Sequence, residues 1–214
     1  GKPVVAVITS MAQPLGTHIG NALEVKDAID VLAGRTQGDL LEISLLLGSH
    51  MLVLAEKAKT LPEARAMLEN ALSSGAGLRK LAEMIAAQGG DPRVVEDLSL
   101  LPQAAVKRVM RAETAGYLSA MDTTALGMAA QRMGAGRAKK SDMLDYSVGY
   151  VLHVRLGDEV TEDTPLATLY ARNEAEAEEA EKAIRKALTI AKEKPSVPPL
   201  WDAVVTAEEI TYNR

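Results

Sequence analysis

The residues with the best claim to chemistry lie in "QPLGTHIGNALEV", Gln13 to Val25, where Gly16 and Gly20 loosen the backbone between an apolar run and an amphipathic one. A strand's carboxyl end, a glycine loop and a helix start form the usual ligand side of an open α/β sheet. Glycines let backbone carbonyls turn inward, which suits a hard monovalent or divalent cation or a ligand hydroxyl. Glu24 and Asp27, three apart on the following helix, can offer a carboxylate to the same place. A plain βα connection is the alternative reading, although the loop is longer than such connections usually are. Pattern alone leaves the two open.

Other stretches carry less. Gly134 to Ser141, "GAGRAKKS", nearly spells the glycine-rich phosphate loop, but Lys139 stands where a glycine should precede the lysine. The segment also follows a helix, whereas that loop must leave a strand and open a helix whose amides face the phosphates. It reads as a basic turn. His18, His50 and His153 lie far apart and form no metal-ligating pattern, and no G-x-S-x-G elbow presents a serine nucleophile. Most carboxylates share helix faces with Lys or Arg, so no general acid/base pair stands out. "LGDEVTEDTPLATL" is comparable with biotinyl and lipoyl carrier modules, yet it lacks their modifiable lysine at a hairpin tip, which leaves a likeness of fold.

These loops need elements to hold them. Val4–Thr9 is β-branched enough for a buried strand of a parallel sheet. Such a strand at residue four, with no initiator Met, predicts the later part of a longer protein. A helix follows from about Asn21, with Leu23, Ile29 and Leu32 at helical spacing, and stops near Gly34. Residues 39–58 read as a helix apolar on most faces and therefore central. Thr60 and Glu63 form a capping box with Pro62 in the first turn, starting a helix that ends near Gly75. "LRKLAEMIAAQGG" is another helix, and Asp91-Pro92 caps a short one. From about Gln103 strands and glycine turns alternate, with a helix behind Asp122. Asn173 caps a long helix predicted over 174–194, acidic first and basic later, as the helix dipole favours. "KPSVPPLW" is an extended crossing segment.

Composition bounds the rest. The 214 residues are 47% apolar and 25% charged, enough to bury a core in one large domain or two small ones. A formal net charge of -5 and a pI near 5.3 argue against nucleic-acid binding, which needs a concentrated basic face. The 3% aromatic content, with no Phe, removes base-stacking platforms. Without Cys there are no disulfides, thiolate zinc sites or cysteine nucleophiles. The most apolar run is broken by Glu42, Ser44, Gly48, Ser49 and His50, so no membrane span is expected. The expected setting is cytoplasmic.

Taken in order, "PLGTHIGNALEVKDAI", "LLLGSHMLVLAEKA", "AAQGGDP", "DTTALGMAAQRMGAGRAKKSDMLDYSVG" and "LHVRLGDEVTEDTPLATL" strongly resemble the pyrimidine-nucleoside phosphorylase family, from about Val4 to Val205. The resemblance implies phosphorolysis of uridine or thymidine to base and (deoxy)ribose 1-phosphate, by a homodimer whose site lies in a closing cleft. It also implies that this chain is the C-terminal half. The family's phosphate-binding Lys-His-Ser segment and its base-binding Arg, Ser and Lys precede the first strand here, so no catalytic or substrate-binding residue carries over. One site carries over in part: a potassium ion supporting the phosphate, with the carbonyls of Leu15 and His18 and the carboxylate of Asp27 as ligands. The family commonly has Glu at the last position, which keeps Glu24 or a water bridge as alternatives to Asp27.

The expected architecture is α/β plus α+β. Residues 1–101 would be the later part of a mixed or parallel α/β sheet domain, and 102–214 a C-terminal α+β subdomain resembling a barrel-sandwich, with a hinge near Leu101-Pro102. The expected partners are the missing N-terminal half, phosphate and a pyrimidine nucleoside. Neither nucleic acid nor membrane is expected. The rival readings are a non-catalytic binding or scaffolding domain and a related nucleotide phosphorylase or phosphoribosyltransferase.

Overall fold

The computed structural model of the chain describes residues 2–213, which form a mixed α+β structure of two compact units. One unit comprises Ala28–Asp97 with both chain ends, up to Ser10 and from Pro198; the other comprises Met11–Asp27 and Leu98–Val197. The last residues join the first unit, because β1 (Ala6–Thr9) finds its strand partner in them.

Helix α1 (Asn21–Leu32) leads from the opening loop, which contains the short strand β2 (His18–Ile19). Its last turns belong to the first unit, as do α2 (Asp39–Leu54), α3 (Leu61–Ser73) and α4 (Ala76–Ala87). The α3 start is the expected capping box: the Glu63 amide donates to Thr60 Oγ1 at 3.3 Å, while Glu63 Oε2 accepts from the Lys59 amide at 2.8 Å. A Cβ on Gly48 would come within 2.9 Å of Leu68, so this glycine is what lets α2 approach α3 closely. Val31, Leu41 and Leu45 form the buried cluster, with Leu40, Leu68 and Leu72 against it.

Strand β1 lies at the edge of a three-stranded sheet, ordered β1-β9-β10, with β9 (Trp201–Val205) and β10 (Ile210–Tyr212). This corrects the expected parallel sheet: every strand pairing among the described residues is antiparallel. A β-branched run shows that a segment favours a strand, but it does not encode partner direction. Nor is β1 buried, since Ile8 is 49% exposed and the preceding Val4 70%. Helix α2 is also less central than its composition implies. It ends at Leu54, and its Leu47, Met51 and Leu54 face outward.

The second unit holds two antiparallel sheets. One is ordered β2-β5-β7-β3, with β3 (Val106–Arg111), β5 (Gly149–Leu152) and β7 (Pro165–Ala171). The other is ordered β6-β4-β8, with β4 (Gly116–Met121), β6 (Glu159–Val160) and β8 (Leu188–Ala191). Helix α5 (Thr123–Ala130) starts where Asp122 accepts the Ala125 amide at 2.8 Å, and α6 (Glu174–Ala187) where Asn173 accepts that of Glu176 at 2.9 Å. Ala177, Ala180, Ile184 and Ala187 form the buried stripe of α6. The long helix expected to reach residue 194 therefore stops at Ala187. Leu188–Ala191 contains β-branched Thr189 and Ile190 and pairs with β4, so sheet pairing overrides the helical continuation. No barrel closes: β6 and β7, adjacent in the sequence, enter different sheets.

Candidate functional site

The site is built on the opening loop, which is anchored along its length by residues 145–156. Strand β2 pairs with β5, His18 opposite Val151 and Ile19 opposite Tyr150. The Leu152 amide donates to the Thr17 carbonyl at 2.8 Å and the Leu156 amide to Gln13 Oε1 at 2.9 Å. Arg155 donates to the Pro14 carbonyl at 2.7 Å and lies 3.4 Å from that of Leu15. At the helix start the Ala22 amide donates to the Tyr146 carbonyl at 3.1 Å, and Asn21 Nδ2 to that of Ala135 at 2.8 Å.

Two glycines make the β2–β5 approach possible. A Cβ on Gly149 would sit 2.1 Å from the Ile19 carbonyl oxygen, and one on Gly20 would sit 2.5 Å from that of Val148. Both have positive φ, +146° and +136°, a region that side chains disfavour. Any Cβ at this crossing would push the loop off its strand.

At the centre, Asp27 is 3% exposed and its Oδ1 lies 3.4 Å from His18 Nδ1. The Thr17 hydroxyl is 3.0 Å from the same nitrogen. A buried carboxylate is costly without a compensating charge or hydrogen bonds, and His18 is the group placed to supply one. Glu24 lies less centrally, with Oε1 3.5 Å from the Gly20 amide. Of the three residues singled out from the sequence, His18 and Asp27 are brought together through their side chains, while the Leu15 carbonyl faces the Arg155 guanidinium. Sequence reasoning missed Arg155 and Thr17. Nothing in the local pattern marks Arg155, because its role depends on how β5 lies against the loop.

A cation here would depend on backbone oxygens and the Asp27 carboxylate, a donor set suited to a hard ion. No group of three or more His, Cys, Asp or Glu among the described residues could hold a metal by side chains alone. Asp27, buried on α1, would supply the anionic oxygen for such an ion. The Arg155 guanidinium supplies positive charge beside the Leu15 carbonyl and would compete there.

The remaining motifs are structural. In the phosphate-loop look-alike, Asp142 Oδ2 accepts the amides of Ala138 and Lys139 at 3.1 and 2.8 Å, so the chain's own carboxylate takes the place of a phosphate. His153 Nε2 lies 2.7 Å from Thr168 Oγ1, and burial, with the Lys107 charge adding to it, holds its pKa below the ordinary value. His50 is likewise lowered by burial, and its Nε2 is buried without a hydrogen-bond partner.

Residues 117–191, within the second unit, match the family model described as the pyrimidine nucleoside phosphorylase C-terminal domain. The chain is 49% identical over 174 residues to the pyrimidine-nucleoside phosphorylase of Bacillus subtilis, and 48% identical over 174 to that of Geobacillus stearothermophilus. It is 42% identical over 206 residues to that of Staphylococcus aureus. The chain matches the C-terminal part of these pyrimidine-nucleoside phosphorylases. These matches cover 81% of the chain for the first two and 96% for the third, but 40%, 40% and 47% of the relatives. The chain thus spans under half the length of the phosphorylases it matches. No helix among the described residues is long and apolar enough to cross a membrane.

Proposed function

We propose that the chain is the C-terminal part of a cytoplasmic, homodimeric enzyme that cleaves uridine or thymidine with orthophosphate, giving the base and (deoxy)ribose 1-phosphate. The observation that carries this reading is 42–49% identity to proteins of that activity name. The residues contacting phosphate and base lie in the part of the enzyme outside this chain. This chain alone does not turn over substrate.

Its contribution to the reaction is support. The Leu15 and His18 carbonyls of the pinned loop and the Asp27 carboxylate of α1 would hold a potassium ion, which when bound would supply positive charge to support phosphate binding. Asp27 provides the anionic oxygen, His18 keeps that carboxylate oriented, and Arg155 holds the loop against β5. Positioning and electrostatics of this kind lower a barrier because the groups need no rearrangement as charge develops.

The test is phosphorolysis of uridine in phosphate buffer, followed by release of uracil. The full-length protein should turn over and this chain should not; inactivity of the full-length protein would refute the reading. Asp27→Ala in the full-length protein should reduce activity at low potassium about tenfold, roughly 1.4 kcal/mol of transition-state stabilisation, with partial recovery at high potassium. An unchanged potassium dependence would remove Asp27 from the ligand set.

A further inference from the structure

One cavity of the second unit has no part in the loop chemistry above. It measures about 360 Å³, within the range of small-molecule sites, and every residue lining it belongs to that unit. One wall is the sheet, where Lys107 of β3 stands opposite Tyr170 of β7 and its ammonium lies 5.6 Å from the centre of the Tyr170 ring. A second wall is the start of α1, where Ala22 and Lys26, one helical turn apart, share a face with Leu23 beside them. The third is the segment 98–104, which brings Leu101 and Pro102. Hydrogen bonds within the chain hold these walls in place. Gln103 Nε2 donates to the Leu101 carbonyl at 2.7 Å, and the Ala22 amide fixes the helix start on the Tyr146 carbonyl.

The charge in this cavity is one-sided. Lys26 and Lys107 both line it and no Asp or Glu does, although the chain as a whole carries a formal net charge of -5. Lys107 makes no ion pair among the described residues; its ammonium lies over the Tyr170 ring, and its charge opposes protonation of His153. Two ammonium groups in one cavity repel each other, and an anion bound between them removes that cost. A phosphate monoester carries about -1.5 to -2 at pH 7 and three strong acceptor oxygens, which matches two lysines acting as point charges. Leu23, Leu101 and Pro102 give the rest of such a molecule an apolar surface to lie against.

We propose that this cavity binds a phosphate monoester of a small ring compound, with Lys26 and Lys107 on the phosphate and the leucines and proline on the ring. A phosphorylated sugar and a nucleotide share this chemistry. The site stands on the cavity's own residues, whether or not the full-length protein cleaves nucleosides.

Isothermal titration of ribose 5-phosphate and of uridine 5′-monophosphate into the full-length protein, in phosphate-free buffer at neutral pH, tests this. At least one should bind with a Kd of about 1 mM or tighter, and the tighter of the two tells sugar from nucleotide. Lys107→Gln should weaken that binding about tenfold, as loss of one charge-assisted contact does, whereas Lys107→Arg should hold it within about threefold. Lys26→Gln, on the facing wall, gives a second reading and should weaken it as well. Lys139→Gln, on an exposed turn elsewhere in the unit, should change nothing. Melting temperatures measured by circular dichroism should stay within a few degrees for the Lys107 variants, because that side chain is exposed. Failure of both compounds to bind would overturn the proposal, as would binding that neither Lys107→Gln nor Lys26→Gln weakens. So would equally tight and equally lysine-dependent binding of orthophosphate, since the apolar walls would then contribute nothing.

Discussion

The two units differ most in how their cores are made. In the second, Met110, Leu118, Tyr150, Leu152, Leu169 and Ile184 are essentially inaccessible and belong to one continuous cluster shared by two sheets and two helices. In the first, the buried cluster is three side chains wide, and apolar residues of α2 and β1 face solvent. The apolar content of the two is similar to the eye, but apolar residues stabilise only where neighbours exclude water. The well-packed unit is also the one that the family's C-terminal domain model matches. It reads as a module that closes on itself, whereas the other leaves much of its apolar surface open to water.

The sharpest way to break this comparison is Gly149→Val, which puts a Cβ into the Ile19 carbonyl oxygen at a positive φ. It should cost the second unit about 3–5 kcal/mol and release the opening loop, seen as loss of hydrogen-exchange protection at Thr17 to Gly20. Leu169→Ala should come next, at about 3 kcal/mol, because a site buried on all sides cannot collapse. Leu45→Ala in the first unit should cost about 2 kcal/mol, the surroundings being free to relax into the neighbouring cavity. Equal losses from these two leucine substitutions, measured by denaturant unfolding, would contradict the difference in packing. Thr60→Ala removes the α3 cap and should cost about 1 kcal/mol.

Acid provides the gentlest probe. His50 in the first unit and His153 in the second are both held below the ordinary histidine value of 6.5, chiefly by burial. The unfolded chain takes up these protons as pH falls through about 6.5 and the folded chain does not, so the contribution is complete above that value. It declines below pH 6.5 and levels off once the lower folded pKa is passed. His50→Gln should flatten the acid limb of stability for the first unit, and His153→Gln that for the second. A pH profile unchanged by either substitution would show that carboxylates alone govern the acid response.

Features governed by near neighbours in the chain were legible beforehand. The capping residues Thr60, Asp122 and Asn173, the α1 start at Asn21 and the switch to strands after Gln103 are set within a few residues of themselves, so local pattern suffices. The loop from Gln13 to Gly20 was recognisable as a place where backbone is unusual, and Asp27 as a carboxylate aimed near it. What escaped local pattern depended on partners distant in the sequence. Leu188–Ala191 leaves the helix because β4 offers it a ladder, and β1 runs antiparallel because its neighbour comes from the chain's far end.

The sequence by itself determined the resemblance to pyrimidine-nucleoside phosphorylases, the capping and turn chemistry, and the presence of a glycine loop before a carboxylate-bearing helix, since these are written in residue identity and short spacing. Only the tertiary structure decided that Gly20 and Gly149 cross at near-contact, that Arg155 grips the Pro14 carbonyl, and that His18 shares a buried place with Asp27. It also decided which apolar faces are buried and which are open to water. The physical reason is the same throughout: hydrogen-bond pairing and exclusion of water are settled between segments far apart in the chain, and the period of a single segment does not record them.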